Sequence, residues 1–331
     1  MTSILELAGS LTAGPMTELI LSGVVVPQGM SVTWTKLHPS EMFWRQLRFA
    51  EFDVSELSLS SLLIAVDRGD DRWTAIPVFT TREFFHTWIL VRADARIDTP
   101  SDLAGRRVGV PEYQQTAAVW ARGALEHEFS VRPADVEWFM ERPPRLSHGG
   151  ATGFVAPDGV RLRYLGADSD IGTAMLSGDL DATLLYLRDP NLVDRSRVDL
   201  EADRRIRPLF HDRRAEGVRY FRGTGLLPVN HTVVVRREIA ERHPWVVLNL
   251  YDMFVEAKQA FVDRVRASVE VWSGLGLLEG ADSALGVDPR PYGVIGQTAV
   301  LETLARYSHE QGLTSRQISL EEVFAPCTLE L

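Results

Sequence analysis

Strand-like and helix-like segments alternate along most of this chain, and that alternation constrains its fold more than any other feature. Short apolar runs, such as residues 108–110 and 232–235, have the length of buried strands. The segments between such runs repeat apolar residues at gaps of three and four, which is the spacing of one helix face. The alternation continues to residue 235, and helical spacing dominates after Pro244. This pattern predicts an α/β protein with mostly parallel sheets flanked by helices.

Local signals predict where several elements begin and end. A helix is expected over residues 12–21, and Ser40 is expected to cap the next helix. Apolar runs predict strands over residues 87–91 and 180–186. The charged segment 194–207 is expected to be a solvated surface segment.

Composition excludes several classes of protein. A chain of 331 residues has room for two domains, and a net charge of −10 argues against a nucleic-acid partner. Cys327 is the only thiol, so no intrachain disulfide and no multi-cysteine metal site can form. No stretch approaches the roughly eighteen apolar residues of a membrane span, so membrane insertion is not expected. The first residues show no basic region followed by an apolar run, so a cytoplasmic location is expected.

The turn at residues 111–116 is the first candidate for a ligand site. Pro111 ends the apolar run, and helical spacing begins at Thr116. Ligands in open α/β sheets bind beyond the carboxyl ends of strands, and a helix start offers unpaired N–H groups to an anion. The polar side chains of this turn are therefore expected to meet a carboxylate, although an ordinary capped surface turn would fit the same pattern. They are Glu112, Tyr113, Gln114, Gln115 and Thr116.

Three segments together resemble the type II periplasmic-binding-protein fold, in which two α/β lobes close on a ligand. They are residues 47–54, 102–110 and 175–182. The resemblance implies a discontinuous first lobe of residues 1–88 and 228–331, with residues 89–227 forming the second lobe. It also implies a ligand cleft between the two lobes.

Within that fold, the chain resembles the 4,5-dihydroxyphthalate decarboxylase family. The resemblance covers roughly residues 4 to 260 and is carried by residues 51–61, 76–79, 108–114, 116–120, 225–228 and 231–234. It implies conversion of 4,5-dihydroxyphthalate to 3,4-dihydroxybenzoate and CO2. The easier chemical route protonates the ring carbon that bears the carboxylate, with electrons supplied by the hydroxyl para to it. Such a route needs no redox cofactor and does not require a metal, so no cofactor is expected.

This chemistry suggests roles for side chains at the ends of predicted strands. His86 and His231 are candidate proton donors, because the pKa of histidine lies near neutrality, and Glu112 is a candidate acceptor for a phenol proton. Arg82 and Arg188 are candidates to hold carboxylates in bidentate pairs. Ser58, Ser60, Ser61 and Thr80 are expected to contact the substrate, together with Tyr113, Gln114, Gln115 and Thr116.

Each of these residues also has a structural interpretation. The histidines would then be core residues, and the arginines would pair with the neighbouring Glu83 and Asp189. The serines would cap a helix, and Glu112 would stabilise a helix start through its dipole.

Two other functions fit the same fold. One is a non-enzymatic solute-binding protein for a small carboxylate or aromatic acid of an ABC-type transporter, which would need export. The other is a cytoplasmic ligand sensor or a biosynthetic enzyme on this scaffold. In all three cases the expected partner is a small aromatic or aliphatic carboxylate, and a homodimer is left open.

Overall fold

The computed structural model describes residues 4–278, 287–288 and 290–331, and its strands form two sheets. In chain order the strands are β1 (Leu5–Leu11), β2 (Met30–Lys36), β3 (Val54–Ser58), β4 (Trp73–Arg82), β5 (Leu90–Arg92), β6 (Arg107–Val110), β7 (Glu137–Met140), β8 (Arg161–Tyr164), β9 (Ala182–Thr183), β10 (Ile206–Pro208) and β11 (Val229–Arg236).

The first sheet has the order β2-β1-β3-β11-β4, and the second has the order β10-β5-β9-β6-β7-β8. Strand β1 runs parallel to β2 and β3, whereas β11 is antiparallel to β3 and β4. In the second sheet, β6 runs parallel to β7 and β9. Strand β4 carries Pro77 and lies at an edge, where a residue without an N–H donor is tolerated.

Helices connect and cover these strands. They are α1 (Glu18–Leu21), α2 (Pro39–Phe49), α3 (Leu59–Asp67), α4 (Thr116–Phe129), α5 (His148–Thr152), α6 (Ile171–Ser177), α7 (Arg213–Thr224), α8 (Arg237–Arg242), α9 (Pro244–Gly274), α10 (Thr298–Glu310) and α11 (Leu320–Val323). None of the helices in the described part of the chain combines the length and apolarity that a membrane span needs.

One hydrophobic core joins the two sheets. The largest cluster of buried side chains includes Leu57 and Trp73 of the first sheet and Val108 and Trp138 of the second. Leu304 of α10 belongs to the same cluster, because α10 packs on both α3 and α4. The indole Nε1 of Trp120 on α4 donates to the Val229 carbonyl on β11 at 2.8 Å. The sheets are therefore packed together around side chains from both.

Several local predictions were wrong, and each has a physical reason. The helix expected over residues 12–21 is confined to Glu18–Leu21, because Thr17 Oγ1 bonds the Thr12 carbonyl and holds a turn there. The cap of α2 is His38, whose Nδ1 accepts the Ser40 N–H at 3.3 Å.

Two predicted strands are shorter than expected. Residues Phe85–Trp88 form a 3-10 turn, in which Thr87 Oγ1 donates to the Phe84 carbonyl at 2.8 Å. The strand expected over residues 180–186 is limited to Ala182–Thr183. The segment 194–207 is not simply solvated, because Asp194, Ser196 and Leu200 are buried.

Candidate active site

A cavity of about 310 Å³ lies where loops from both sheets meet. The first sheet contributes Ser58 at the end of β3, Thr81 on β4 and His231 on β11. The second contributes residues that follow β6, β7 and β9, including Thr116 and Arg142. Helices α2 and α4 also begin at this cavity, and the first N–H groups of α4, those of Thr116 and Ala117, have no helical partner.

Hydroxyl groups join the two sides of the cavity. Ser58 Oγ lies 2.9 Å from Thr116 Oγ1, and both side chains line the cavity. Thr116 Oγ1 also accepts the N–H of Ser60 at 2.9 Å, and Ser60 Oγ donates to the Gln114 carbonyl at 2.6 Å. Thus Ser58 and Thr116 are available to a ligand, whereas Ser60 bonds the turn that precedes α4.

Ser61 and Gln114, which were also expected to contact the substrate, lie behind these hydroxyl groups. Ser61 Oγ donates to Ser58 Oγ at 3.2 Å, and Gln114 Nε2 lies 3.5 Å from Ser61 Oγ. Neither residue lines the cavity. Gln115 does line it, and its Oε1 is buried without a hydrogen-bond partner among the described residues.

His231 is held at the cavity wall by polar groups on both ring nitrogens. Its Nδ1 lies 3.3 Å from Glu56 Oε2 and 3.3 Å from Thr81 Oγ1. On the other side, Asn230 Nδ2 donates to Nε2 at 2.8 Å, so neutral His231 carries its proton on Nδ1. The ring of Phe43 meets the imidazole edge to face, with 4.7 Å between centroids.

Glu56 is a buried carboxylate that the sequence interpretation missed. Its side chain is 1% exposed, and its Oε2 accepts a hydrogen bond from Thr80 Oγ1 at 2.6 Å. Its Oε1 accepts the Thr12 N–H at 2.7 Å. Glu56 therefore fixes the position of the His231 ring, and Thr80 supports Glu56 and does not line the cavity.

A second charged cluster at the cavity is centred on Arg142. Its Nε donates to Asp194 Oδ1 at 2.6 Å, its Nη2 donates to Ser40 Oγ at 2.6 Å, and its Nη1 lies 3.6 Å from Glu112 Oε2. Glu112 accepts the N–H groups of His148 at 3.0 Å and Gly149 at 3.1 Å, at the start of α5. Glu112 is fully buried behind Arg142 and does not line the cavity.

Burial governs the protonation of this cluster. It raises the pKa of Glu112 to about 7, although Arg142 and the two N–H donors act against that rise. Burial together with the Arg142 charge lowers the pKa of His148 to about 3, so this imidazole is neutral. The pKa of Asp194 is lowered, because its contacts with Arg142 outweigh the effect of burial.

Two more histidines of the wall were not predicted. His148 lies 3.1 Å from the Ser40 carbonyl through Nε2, and its buried Nδ1 has no partner among the described residues. His38 accepts the Ser40 N–H through Nδ1, so its proton lies on Nε2, and burial lowers its pKa. His38 lies in the loop after β2, and His148 lies after β7. Ligands in open α/β sheets bind beyond the carboxyl ends of strands, so a search of the loop after every strand would have included both histidines.

The structure places His86 and Arg82 away from the cavity. His86 Nε2 bonds Glu216 Oε1 at 3.0 Å, in a pocket closed by Phe210 and Tyr220. Arg82 is 3% exposed. Its guanidinium group donates hydrogen bonds to Gln297 Oε1 at 2.7 Å and to the Pro291 carbonyl at 2.6 Å. Burial lowers the pKa of Arg82 to about 10.

Tyr113 and Arg188 also lie elsewhere. The Tyr113 ring is buried between the Arg122 guanidinium, 3.8 Å from its centroid, and the stacked ring of Phe154. Arg188 is about half exposed and pairs with Asp199 on the surface, not with the Asp189 suggested by the sequence. Neither Arg82 nor Arg188, the two arginines expected to hold carboxylates, lines the cavity.

The remaining lining is mostly apolar and includes Phe43, Phe85, Trp88, Leu185 and Leu187, together with the acidic residue Glu83. Within the described residues, no group of three or more His, Cys, Asp or Glu side chains is placed to hold a metal ion. The arrangement offers aromatic contact, one imidazole with a carboxylate partner, and an anion contact at the start of α4.

The fold is similar to that of periplasmic binding proteins. The alkanesulfonate-binding protein from Xanthomonas axonopodis pv. citri, solved bound to MOPS, matches with a TM-score of 0.59 at 15% identity. The match covers 98% of this chain and 99% of that one. This architecture is the type II periplasmic-binding-protein-like fold, with the cavity where loops from its two sheets meet.

Sequence comparison identifies the family more closely. A 4,5-dihydroxyphthalate decarboxylase from Comamonas testosteroni is 32% identical over 318 residues, which are 94% of this chain and 93% of that protein. A second, from Pseudomonas putida, is 34% identical over 50% of this chain and 64% of that protein. No protein-family model matches the chain. The chain belongs to the 4,5-dihydroxyphthalate decarboxylase family.

Proposed function

We propose that this protein decarboxylates a hydroxylated aromatic diacid, with 4,5-dihydroxyphthalate as substrate and 3,4-dihydroxybenzoate and CO2 as products. Family membership over nearly the whole chain supports the reaction class. The observation that carries the proposal is the His231–Glu56 pair at the wall of an aromatic-lined cavity. An imidazole backed by a buried carboxylate is a suitable general acid near neutral pH.

In the proposed mechanism, the substrate ring packs near Phe43 with its reacting carbon facing His231. Protonated His231 donates its Nε2 proton to the ring carbon that bears the carboxylate, while the para hydroxyl supplies electron density, and the imidazole returns to the form protonated on Nδ1. The bond to the carboxylate carbon then breaks, CO2 leaves, and its bonding electrons restore the aromatic ring. One proton is consumed per turnover. Glu56 stabilises the imidazolium and fixes its orientation.

One carboxylate of the diacid is held in this proposal by hydroxyls and a helix start. Ser58 and Thr116 present hydroxyl groups, and Thr116 opens the fourteen-residue helix α4. The first N–H groups of such a helix, with its dipole, favour an anion. General acid catalysis contributes about 10²–10⁴ in rate, so positioning of this kind must supply much of the remainder.

The test is direct turnover. Purified protein is incubated with 4,5-dihydroxyphthalate, while CO2 release and 3,4-dihydroxybenzoate formation are followed in chelated buffer and after addition of divalent metals. Turnover by the wild type and its loss in His231→Gln would support the proposal. An absence of both products under every metal condition would reject it.

A solute-binding function is the second candidate, and the fold match to an alkanesulfonate-binding protein favours it. A series of aromatic and aliphatic acids distinguishes the two functions in a thermal-shift assay. Stabilisation by an acid that the protein leaves unchanged over long incubation would support binding alone. Conversion of that acid would exclude a purely binding role.

A further inference from the structure

The Arg142 cluster at the cavity holds one cation between two carboxylates. Arg142 is the only Lys or Arg side chain among the described residues that line the cavity. It is 1% exposed, and the side chains of Glu112 and Asp194 that contact it are fully buried. When all three groups are ionised, this buried cluster therefore carries one net negative charge.

A carboxylate ligand beside Arg142 would increase that imbalance. A third anion would then share a single guanidinium in a region shielded from water, where an uncompensated charge is strongly unfavourable. The other titratable groups that face Glu112 are His148 on α5, Tyr164 on β8 and, beyond His148, His231 on β11. His148 is neutral, so it supplies no positive charge to offset the ligand.

The two carboxylates of the cluster are not equivalent. Asp194 accepts a 2.6 Å bond from Arg142 Nε and a 3.0 Å bond from Asn191 Nδ2, and these contacts keep it ionised. Glu112 is 3.6 Å from the nearest guanidinium nitrogen, and its hydrogen-bond donors are two backbone N–H groups. Burial has already brought the pKa of Glu112 to about 7. Glu112 is therefore the group that gains a proton most easily.

We propose that Arg142 anchors a carboxylate of the ligand and that Glu112 takes up a proton when the ligand binds. Under the proposed function, on which the choice of ligand rests, Arg142 would hold the second carboxylate of the aromatic diacid, opposite the hydroxyls of Ser58 and Thr116. Proton uptake keeps the enlarged cluster at the same net charge. Glu112 acts here through Arg142 and is a positioning residue, because it does not line the cavity.

Calorimetric titration with phthalate tests this proposal without any turnover. Phthalate keeps the two ortho carboxylates but lacks the hydroxyls that the decarboxylation needs. Binding enthalpies in two buffers of different ionisation enthalpy, at equal pH, give the number of protons taken up per ligand. We expect uptake approaching one proton at pH 8, and an affinity that falls toward tenfold per pH unit as the pH rises above 7.

Glu112→Gln is the decisive variant, because the amide resembles a protonated carboxyl. We expect its proton uptake to fall close to zero and its phthalate affinity to become nearly independent of pH between 7 and 8.5. Glu83→Gln is the matched control, since Glu83 is the carboxylate that lines the cavity directly and burial raises its pKa. Proton uptake should persist in that control, and Arg142→Gln should weaken phthalate binding at least tenfold.

Several outcomes would overturn the proposal. They are wild-type binding without proton uptake, uptake that survives in Glu112→Gln, uptake that vanishes in Glu83→Gln, or no phthalate binding at millimolar concentration. The wild-type pH series decides the matter if Glu112→Gln does not fold. Turnover of 4,5-dihydroxyphthalate is measured separately, so failure of this proposal leaves the decarboxylase proposal standing, and the converse also holds.

Discussion

At the scale of single residues, the two histidines proposed from the sequence have different surroundings. His231 lines the cavity, whereas His86 is bonded to Glu216 outside it. We expect His231→Gln to lower kcat about 10²–10⁴-fold with a small change in KM, because a general acid is lost. His86→Gln should keep kcat near the wild-type value and lose about 1–3 kcal/mol of stability, since a buried hydrogen bond to a charged group is removed.

Steady-state kinetics and urea unfolding of both variants check this prediction. A large loss of kcat in His86→Gln with intact folding, or full activity in His231→Gln, would contradict the assignment of the acid to His231.

The ionisation of Glu216 makes the stability of the folded protein depend on pH in the acid range. Although burial alone raises its pKa, hydrogen bonds from His86 and Arg219 lower it to about 2, against a usual value of 4.5. A carboxyl whose pKa is lower in the folded state stabilises the protein above pH 4.5 and loses that contribution as pH falls toward 2. We expect stability to decline through this range, and Glu216→Gln to decline less steeply. Urea unfolding at several pH values measures both slopes, and equal slopes would contradict the prediction.

Three of the residues expected to contact the substrate line the cavity and share a local signal. Ser58 ends β3, and Gln115 and Thr116 lie in the turn and helix start after β6, positions that are readable from apolar runs and helix starts. His86 and Arg82 lie outside the cavity because they bond partners that are distant in sequence: Glu216 is 130 residues from His86, and Gln297 is 215 from Arg82. The spacing of residues in the sequence carries no information about such pairs. The sequence alone therefore cannot distinguish a polar residue that forms a buried pair from one that contacts a ligand.

At the scale of elements, the start of α4 connects the two sides of the cavity through one hydroxyl. Thr116 Oγ1 accepts the Ser60 N–H and meets Ser58 Oγ. We expect Thr116→Val to cost about 1–3 kcal/mol, because buried polar groups lose their partner, and to weaken ligand binding. Thr116→Ser, which keeps the hydroxyl, should lose about 1 kcal/mol or less through the missing methyl group.

Chemical unfolding and KM of both Thr116 variants test this role. A valine variant that is at least as stable as the serine variant and binds ligand equally well would contradict a role for the hydroxyl.

The contact between α4 and α10 depends on a residue without a side chain. A Cβ at Gly123 would lie 2.1 Å from Cδ2 of Tyr307. We expect Gly123→Ala to destabilise the protein by about 1–3 kcal/mol through overpacking, despite the better helix propensity of alanine. Gly223→Ala in α7 is the control, since nothing lies within 4 Å of its Cβ position, and it should be neutral or stabilising. Melting temperatures of the pair compare the two effects, and a neutral Gly123→Ala would contradict the prediction.

Most long elements were predictable, and most short ones were not. Helices such as Pro244–Gly274 and Thr298–Glu310 carry strong periodic patterns that tertiary packing then uses. The two-residue strand Ala182–Thr183 is defined by its pairing with β5 and β6, not by its own composition. Thr87 and Trp88 were expected to begin the strand at residues 87–91, but they lie in the 3-10 turn Phe85–Trp88, where a local side-chain bond overrides the strand tendency.

At the scale of the whole molecule, the shared core predicts cooperative unfolding. The largest hydrophobic cluster includes side chains of both sheets and of α10, so neither sheet keeps its packing without the other. We expect one calorimetric transition, with equal calorimetric and van't Hoff enthalpies. Two resolved transitions would instead show that the sheets unfold as separate units.

That common core also bears on how proteins of this architecture acquire new substrates. A gene fusion that exchanged one sheet with its helices for that of a relative would remove contacts between the two sheets, such as the bond from Trp120 Nε1 to the Val229 carbonyl and the packing of α10 on both α3 and α4. The halves are therefore not interchangeable modules. Diversification is expected to proceed by point substitutions in the loops around the cavity, and an engineer seeking another aromatic acid would do best to randomise those loops and leave the interior unchanged.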